Sequence, residues 1–189
     1  SVRYGLMDKL DIGFSRLNGT IEDFDTYNFD TKYGLFSEKN FYTDLLVSAV
    51  YTWFNHENAQ DTNAFGTQVI SGKTVAEKFY FTLGLGFHSN SSSSVKIASD
   101  KNYSFFLPAT LKFNLMQWMA LIGECSIPFA GYSANNPSWA TGFKFLTFGH
   151  SFSLLISNTQ YISIDGEAAG SDRWGKPILA FSLTREFIF

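Results

Sequence analysis

The chain has 189 residues and a formal net charge of −3, with 18% aromatic and only 16% charged residues. Soluble domains carry roughly 25% charged residues, and a nucleic-acid partner calls for a basic face, which this balance argues against. Cys125 is the single cysteine, so an internal disulfide and a cysteine zinc cluster are excluded, and no apolar run of about 20 residues offers a transmembrane helix.

Side chains on a strand alternate between its two faces, and that alternation recurs along the whole chain. Val2, Tyr4 and Leu6 alternate with Arg3 and Gly5, Met7-Asp8-Lys9 turns, and Leu10, Ile12 and Phe14 alternate with Asp11, Gly13 and Ser15. A polar loop follows from Asn18 to Asp23. The next strand sets Phe29, Thr31, Tyr33 and Leu35 against Asn28, Asp30, Lys32 and Gly34, and Ser37 to Asn40 is read as a tight turn. From Phe41 to Phe54, Phe41, Thr43, Leu45, Val47, Ala49, Tyr51 and Trp53 share one face, while Asp44, Ser48 and Thr52 oppose them. A loop is expected from His56 to Asn63, then a weak strand from Thr67 to Ala76 and a turn at Glu77-Lys78. Phe79, Phe81, Leu83, Leu85 and Phe87 alternate with residues that include Gly84, Gly86 and His88, where glycine leaves room in a narrow interior.

The serine-rich stretch from Asn90 to Lys101 reads as a loop. The strand from Tyr103 to Phe113 carries Pro108, which lacks a ladder donor, so a bulge is expected there. Trp118 to Phe129 sets Leu121, Cys125 and Ile127 against Glu124, and Gly131 to Pro137 is a loop. Trp139, Thr141, Phe143 and Phe145 alternate with Gly142 and Lys144. A turn at Phe148-Gly149-His150 leads to Phe152, Leu154 and Ile156. A long loop from about Ile162 to Lys176 precedes the last strand, Pro177 to Phe189.

Short turns therefore alternate with long polar loops, and nearly every strand has one face of Phe, Leu, Ile, Val and Tyr. In a soluble sandwich the apolar faces would fill an interior. These aromatic faces are too bulky for a small lumen, whereas the Gly, Ser and Thr faces fit one. The expected fold is all-β, an antiparallel up-and-down transmembrane β-barrel forming one domain over residues 1–189. About eleven strands are visible. The even strand numbers of single-chain bacterial barrels then predict about twelve, with one N-terminal strand missing ahead of Ser1. No signal peptide is visible, so Ser1 is expected to follow a removed leader or to lie partway into the mature chain.

A charge facing lipid at mid-depth would cost roughly 2–4 kcal/mol for Lys or Arg. Arg3, Asp30, Lys32, Asp44, Lys112, Glu124 and Lys144 are accordingly expected on the lumen face, lining a channel or neutralising one another in a plug. Mixed signs favour the plug. Tyr51, Trp53, Trp118, Trp139, Phe187 and Phe189 are expected to form aromatic girdles at the membrane interfaces. Arg185 points outward near the end of its strand and is expected to snorkel. His56, His88 and His150 have no metal-ligand spacing. His88 is read as a solvated rim residue and His150 as a hydrogen-bonding turn residue. The acidic stretches Glu22-Asp23-Phe24-Asp25 and Asp165-Gly166-Glu167 with Asp172 lack a full calcium-loop spacing and read as solvated loops. A lipid-acting barrel enzyme would need a Ser–His pair on the lipid face, and none is found there.

Several segments, the C-terminal strand among them, resemble an uncharacterised family of Bacteroidota β-barrel proteins, a domain of unknown function, and two carry its motifs. One is Tyr4-Gly5-Leu6-Met7-Asp8-Lys9-Leu10 with Gly13 and Arg16. The other is Gly149-His150-Ser151-Phe152-Ser153-Leu154-Leu155-Ile156-Ser157-Asn158-Thr159. The resemblance implies a bacterial outer-membrane location and brings no catalytic residues. The expected role is that of a small-solute channel or a scaffold component of an envelope complex, with no cofactor and no metal. Its expected partners are outer-membrane lipid and other envelope proteins. The alternatives are a lipid-acting enzyme and a soluble β-rich binding module.

Overall fold

A computed structural model describes residues 2–18, 24–56, 62–90, 101–132, 136–159, 164–171 and 175–187. They form eleven strands and one short helix. The strands are β1 (Val2–Met7), β2 (Leu10–Asn18), β3 (Phe24–Phe36), β4 (Asp44–His56), β5 (Thr62–Val75) and β6 (Phe79–Ser89), then β7 (Tyr103–Met116), β8 (Met119–Gly131), β9 (Ser138–Thr147), β10 (His150–Ser157) and β11 (Ile178–Phe187). The helix, α1 (Ile164–Ala169), lies between β10 and β11.

Each strand from β2 to β10 pairs antiparallel with its neighbours in sequence, the arrangement that hairpin connections impose. The order then returns from β11 to β1. With eleven strands the first and last run the same way, so this seam is parallel. It consists of Val2↔Arg185, Arg3↔Glu186 and Tyr4↔Phe187. β11 thus has the visible first strand as its second neighbour, at the edge where a strand from ahead of Ser1 is expected from the sequence.

Burial alternates with the pleat. Along β4, Val50, Thr52 and Phe54 are buried while Tyr51 and Trp53 between them are exposed. The polarity is the reverse of a soluble protein's. Phe29, Phe65, Phe81, Leu111, Phe143 and Leu183 are exposed on the outside, and Asn28, Ser48, Gln68, Ser104, Ser126 and Ser157 are buried inside. Outward apolar bands against a polar interior are what a lipid environment selects in a barrel.

The strand ends differ from expectation in places. β5 begins at Thr62, five residues before the expected start, because its Thr62–Phe65 end pairs with β4 and with Ser89 of β6. β4 begins at Asp44 rather than Phe41. Asp44 Oδ1 accepts from the Glu38 amide at 2.6 Å, which holds residues 37–43 as a longer turn. Pro108 pairs with Ser126 without a bulge, and the register shifts in that ladder fall at Phe105/Phe106 and Asn114/Met116. The missing donor shows instead on the other side of β7, where no pairs lie between Leu83↔Ala109 and Gly86↔Phe106.

Candidate functional site: a helix seated in the lumen

Most of the expected lumen charges lie at mid-depth or toward the short turns. Arg3 and Asp30 form an ion pair at 2.5 Å, with side chains 23% and 20% exposed. Arg3 Nη1 is enclosed and makes no hydrogen bond among the described residues. Lys32 lies in the field of Asp30, Glu167 and Asp11. Asp44 Oδ2 accepts from the Tyr80 hydroxyl at 3.3 Å. Lys112, Glu124 and Lys144 are half-buried on the inward faces of β7, β8 and β9, and Glu124 feels both Lys144 and Lys32. Arg3 with Asp30 is the one pair of this set in direct ionic contact among the described residues.

The sequence reading missed the element these charges surround. The connection after β10 turns inward, and α1 packs against β6, β7, β8 and β9. Ala168 and Ala169 are buried, with Ala169 against Tyr132. Small side chains let the helix approach the wall. Gly170 ends it at φ 71°, the left-handed conformation in which glycine meets no Cβ penalty.

Three wall side chains hold α1. The Ser104 hydroxyl donates to the Ala168 carbonyl at 2.6 Å, and the Ser126 hydroxyl donates to the Glu167 carbonyl at 2.9 Å. Gln68 Nε2 donates to Glu167 Oε2 at 2.6 Å. Beyond the helix, the Ser171 hydroxyl donates to the Asn158 carbonyl at 2.6 Å. Asn158, 1% exposed, accepts from the Trp139 amide at 2.7 Å and donates to the Pro137 carbonyl at 2.9 Å. The Ser157-Asn158-Thr159 stretch thus fastens the returning chain to the rim.

Glu167 is therefore an interior group, and the solvated-loop reading of Asp165-Gly166-Glu167 does not hold for it. Its carboxyl is pushed up to about 7, because burial disfavours the charge and Glu124 adds repulsion; the Gln68 hydrogen bond and Lys32 pull the other way. Two cavities of mixed polar and apolar lining flank the helix. One of about 130 Å³ is lined by Glu124, Ser126, Ser138 and Ser157, and the other of about 250 Å³ by Arg3, Asn28, Lys32 and Gln68. Ile164 and Glu167 line both.

The other candidates fall as follows. His88 is fully buried rather than a solvated rim residue, because the wall closes over it where His88 and Ile164 converge on Gly66. His150 Nδ1 lies 3.3 Å from the Phe148 carbonyl in its turn. Asp25 pairs with Arg16 at 2.5 Å at the rim, while Glu22, Asp23 and Asp172 lie outside the described residues. Among the described residues, no group of three or more His, Cys, Asp or Glu side chains could hold a metal ion. Tyr51, Trp53 and Trp118 are exposed and Trp139 half-exposed. Phe189 and the side chains of His56, Arg185 and Phe187 lie outside the description.

An apolar exterior, a polar interior and an up-and-down antiparallel sheet define a membrane-spanning β-barrel. The chain belongs to the membrane bound beta barrel domain family (DUF5777), whose model matches residues 1–187. No curated protein and no solved structure matches it.

Proposed function

We propose that this chain is a bacterial outer-membrane β-barrel, of the Bacteroidota type it resembles, that works as a small-solute channel held closed by α1. The observation carrying this reading is the position of the helix. It separates two cavities of mixed lining and is tied to the wall by hydrogen bonds from Ser104, Ser126 and Gln68. A hydrogen-bonded stopper of six residues is displaceable, since each such bond contributes only about 0.5–1.5 kcal/mol net. The polar wall suits hydrated solutes, and the mixed charges suit small neutral or zwitterionic ones over a single ionic sign. On this reading lipid surrounds the barrel and no catalytic group is required.

One observation favours a scaffold role in an envelope assembly instead. The long-loop half of the lumen also holds Phe54 and Phe106, 1% and 0% exposed, together with buried Tyr132. Such a filling would keep the barrel shut for good. Planar-bilayer recording separates the two. Replacing residues 164–169 by a Gly/Ser linker should produce discrete conductance steps at acid pH, where the wild-type barrel is expected to be closed. A linker variant that is folded yet silent would end the channel reading and leave the scaffold.

A further inference from the structure

We propose that α1 is a pH-dependent gate, docked in the lumen while Glu167 carries its proton and released when that proton is lost to water. The proposal rests on the channel reading above and names its regulation.

The geometry makes Glu167 the pivot. Its side chain is one of two that line both cavities, so withdrawing it joins them. Of the three wall bonds to α1, those from Ser104 and Ser126 end on backbone carbonyls and are insensitive to pH. The third ends on the Glu167 carboxyl. Around that carboxyl, β5 presents Gln68 and β8 presents Glu124. β3 presents Lys32 beside Asp30, β1 presents Arg3, and β9 contributes Ser138 with Lys144 toward the short-turn end. β7 contributes Ser104 and β6 contributes His88, which converges with Ile164 on Gly66. Arg3 is committed to Asp30, and Lys32 is shared among Asp30, Glu167 and Asp11. An ionised Glu167 therefore meets Glu124, and among the described residues the cation acting on it, Lys32, is shared with Asp30 and Asp11.

The sign follows from linkage. Docking raises the carboxyl from an ordinary 4.5 to about 7. The docked state then binds the proton more tightly than the released one. Docking is strongest below the ordinary value and weakens as pH rises toward 7, by a factor on the order of 10² in the docking equilibrium.

The test is single-channel recording of the purified full chain in planar bilayers between pH 5 and pH 8.5. Open probability should rise with pH by roughly 10–100-fold. Glu167→Gln keeps a polar neutral group opposite Gln68 and should remain closed throughout. Glu124→Gln removes the repelling charge and should flatten the rise. A wild-type response that is flat, or that opens at acid pH, overturns the gate, as does a Glu167→Gln variant that follows the wild type. The Gly/Ser linker variant keeps the two readings apart. If it conducts while the wild type is flat, only the gate falls. If it is silent at every pH, the channel and the gate fall together.

Discussion

At Gly86 the inner wall has no side chain of its own, and the Phe106 ring of the neighbouring strand occupies the space. A Cβ placed there would overlap the ring atoms, and the pair Gly86↔Phe106 sits directly across the ladder. Neither residue can retreat, since Phe106 is 0% exposed and its backbone is fixed on both edges. Gly86→Val should therefore destabilise the barrel by about 1–3 kcal/mol through overpacking. Gly123 supplies the contrast, because a Cβ there meets nothing within 4 Å. Gly123→Ala should be neutral or gain up to about 1 kcal/mol by restricting the unfolded chain. Thermal unfolding midpoints in one detergent would check both, and equal effects of the two changes would refute the packing account. The expectation that inner glycines leave room was right in kind. What fills the room at Gly86 was not legible, because the ring that fills it, Phe106, comes from the neighbouring strand across the ladder.

The helix is the element that the sequence hid. Strands announce themselves by period-two alternation over eight or more residues, and those signals placed most of the sheet with errors of a few residues at strand ends. Ile164–Ala169 is less than two turns long and contains Gly166, so no 3.6-residue period can develop. A six-residue helix is also unstable alone. It exists because the lumen wall supplies partners for its carbonyls, and those partners are remote in sequence. Ser104 and Ser126 look like ordinary inward hydroxyls until the chain is folded. The only local hint was the small pair Ala168-Ala169 next to a glutamate in a loop otherwise read as solvated. The same blind spot explains His88, whose burial depends on what folds in above it. Ser104→Ala combined with Ser126→Ala should leave two α1 carbonyls without those donors, at about 1–3 kcal/mol each for an enclosed acceptor. Limited proteolysis of the detergent-solubilised double variant should then cut the β10–β11 connection several-fold faster than in the wild type, with the sheet itself resistant. Unchanged cleavage would mean that the serines do not hold the helix.

Across the whole molecule, the odd strand number sets where the ring is weakest. β7 and β8 share twelve register pairs and β10 and β11 share eight, but β1 and β11 share three. Among the described residues the seam is also the one parallel contact, and parallel pairing is slightly weaker per residue. β1 itself has only five register pairs with β2 on its other edge, with a shift between Gly5 and Met7. In the hydrocarbon layer an unmade backbone hydrogen bond costs several kcal/mol, so lipid resists opening of the seam, whereas detergent and water tolerate it better. Local opening should therefore begin at β1, in a unit distinct from the rest of the wall. Hydrogen exchange followed by peptide mass spectrometry would show this directly. In detergent, peptides from β1 should exchange at least about tenfold faster than those from β7 and β8, and reconstitution into a bilayer should narrow the gap. Uniform protection around the ring would mean that three parallel pairs close the sheet as firmly as twelve antiparallel ones, and the seam would lose its standing as the weak line of the barrel.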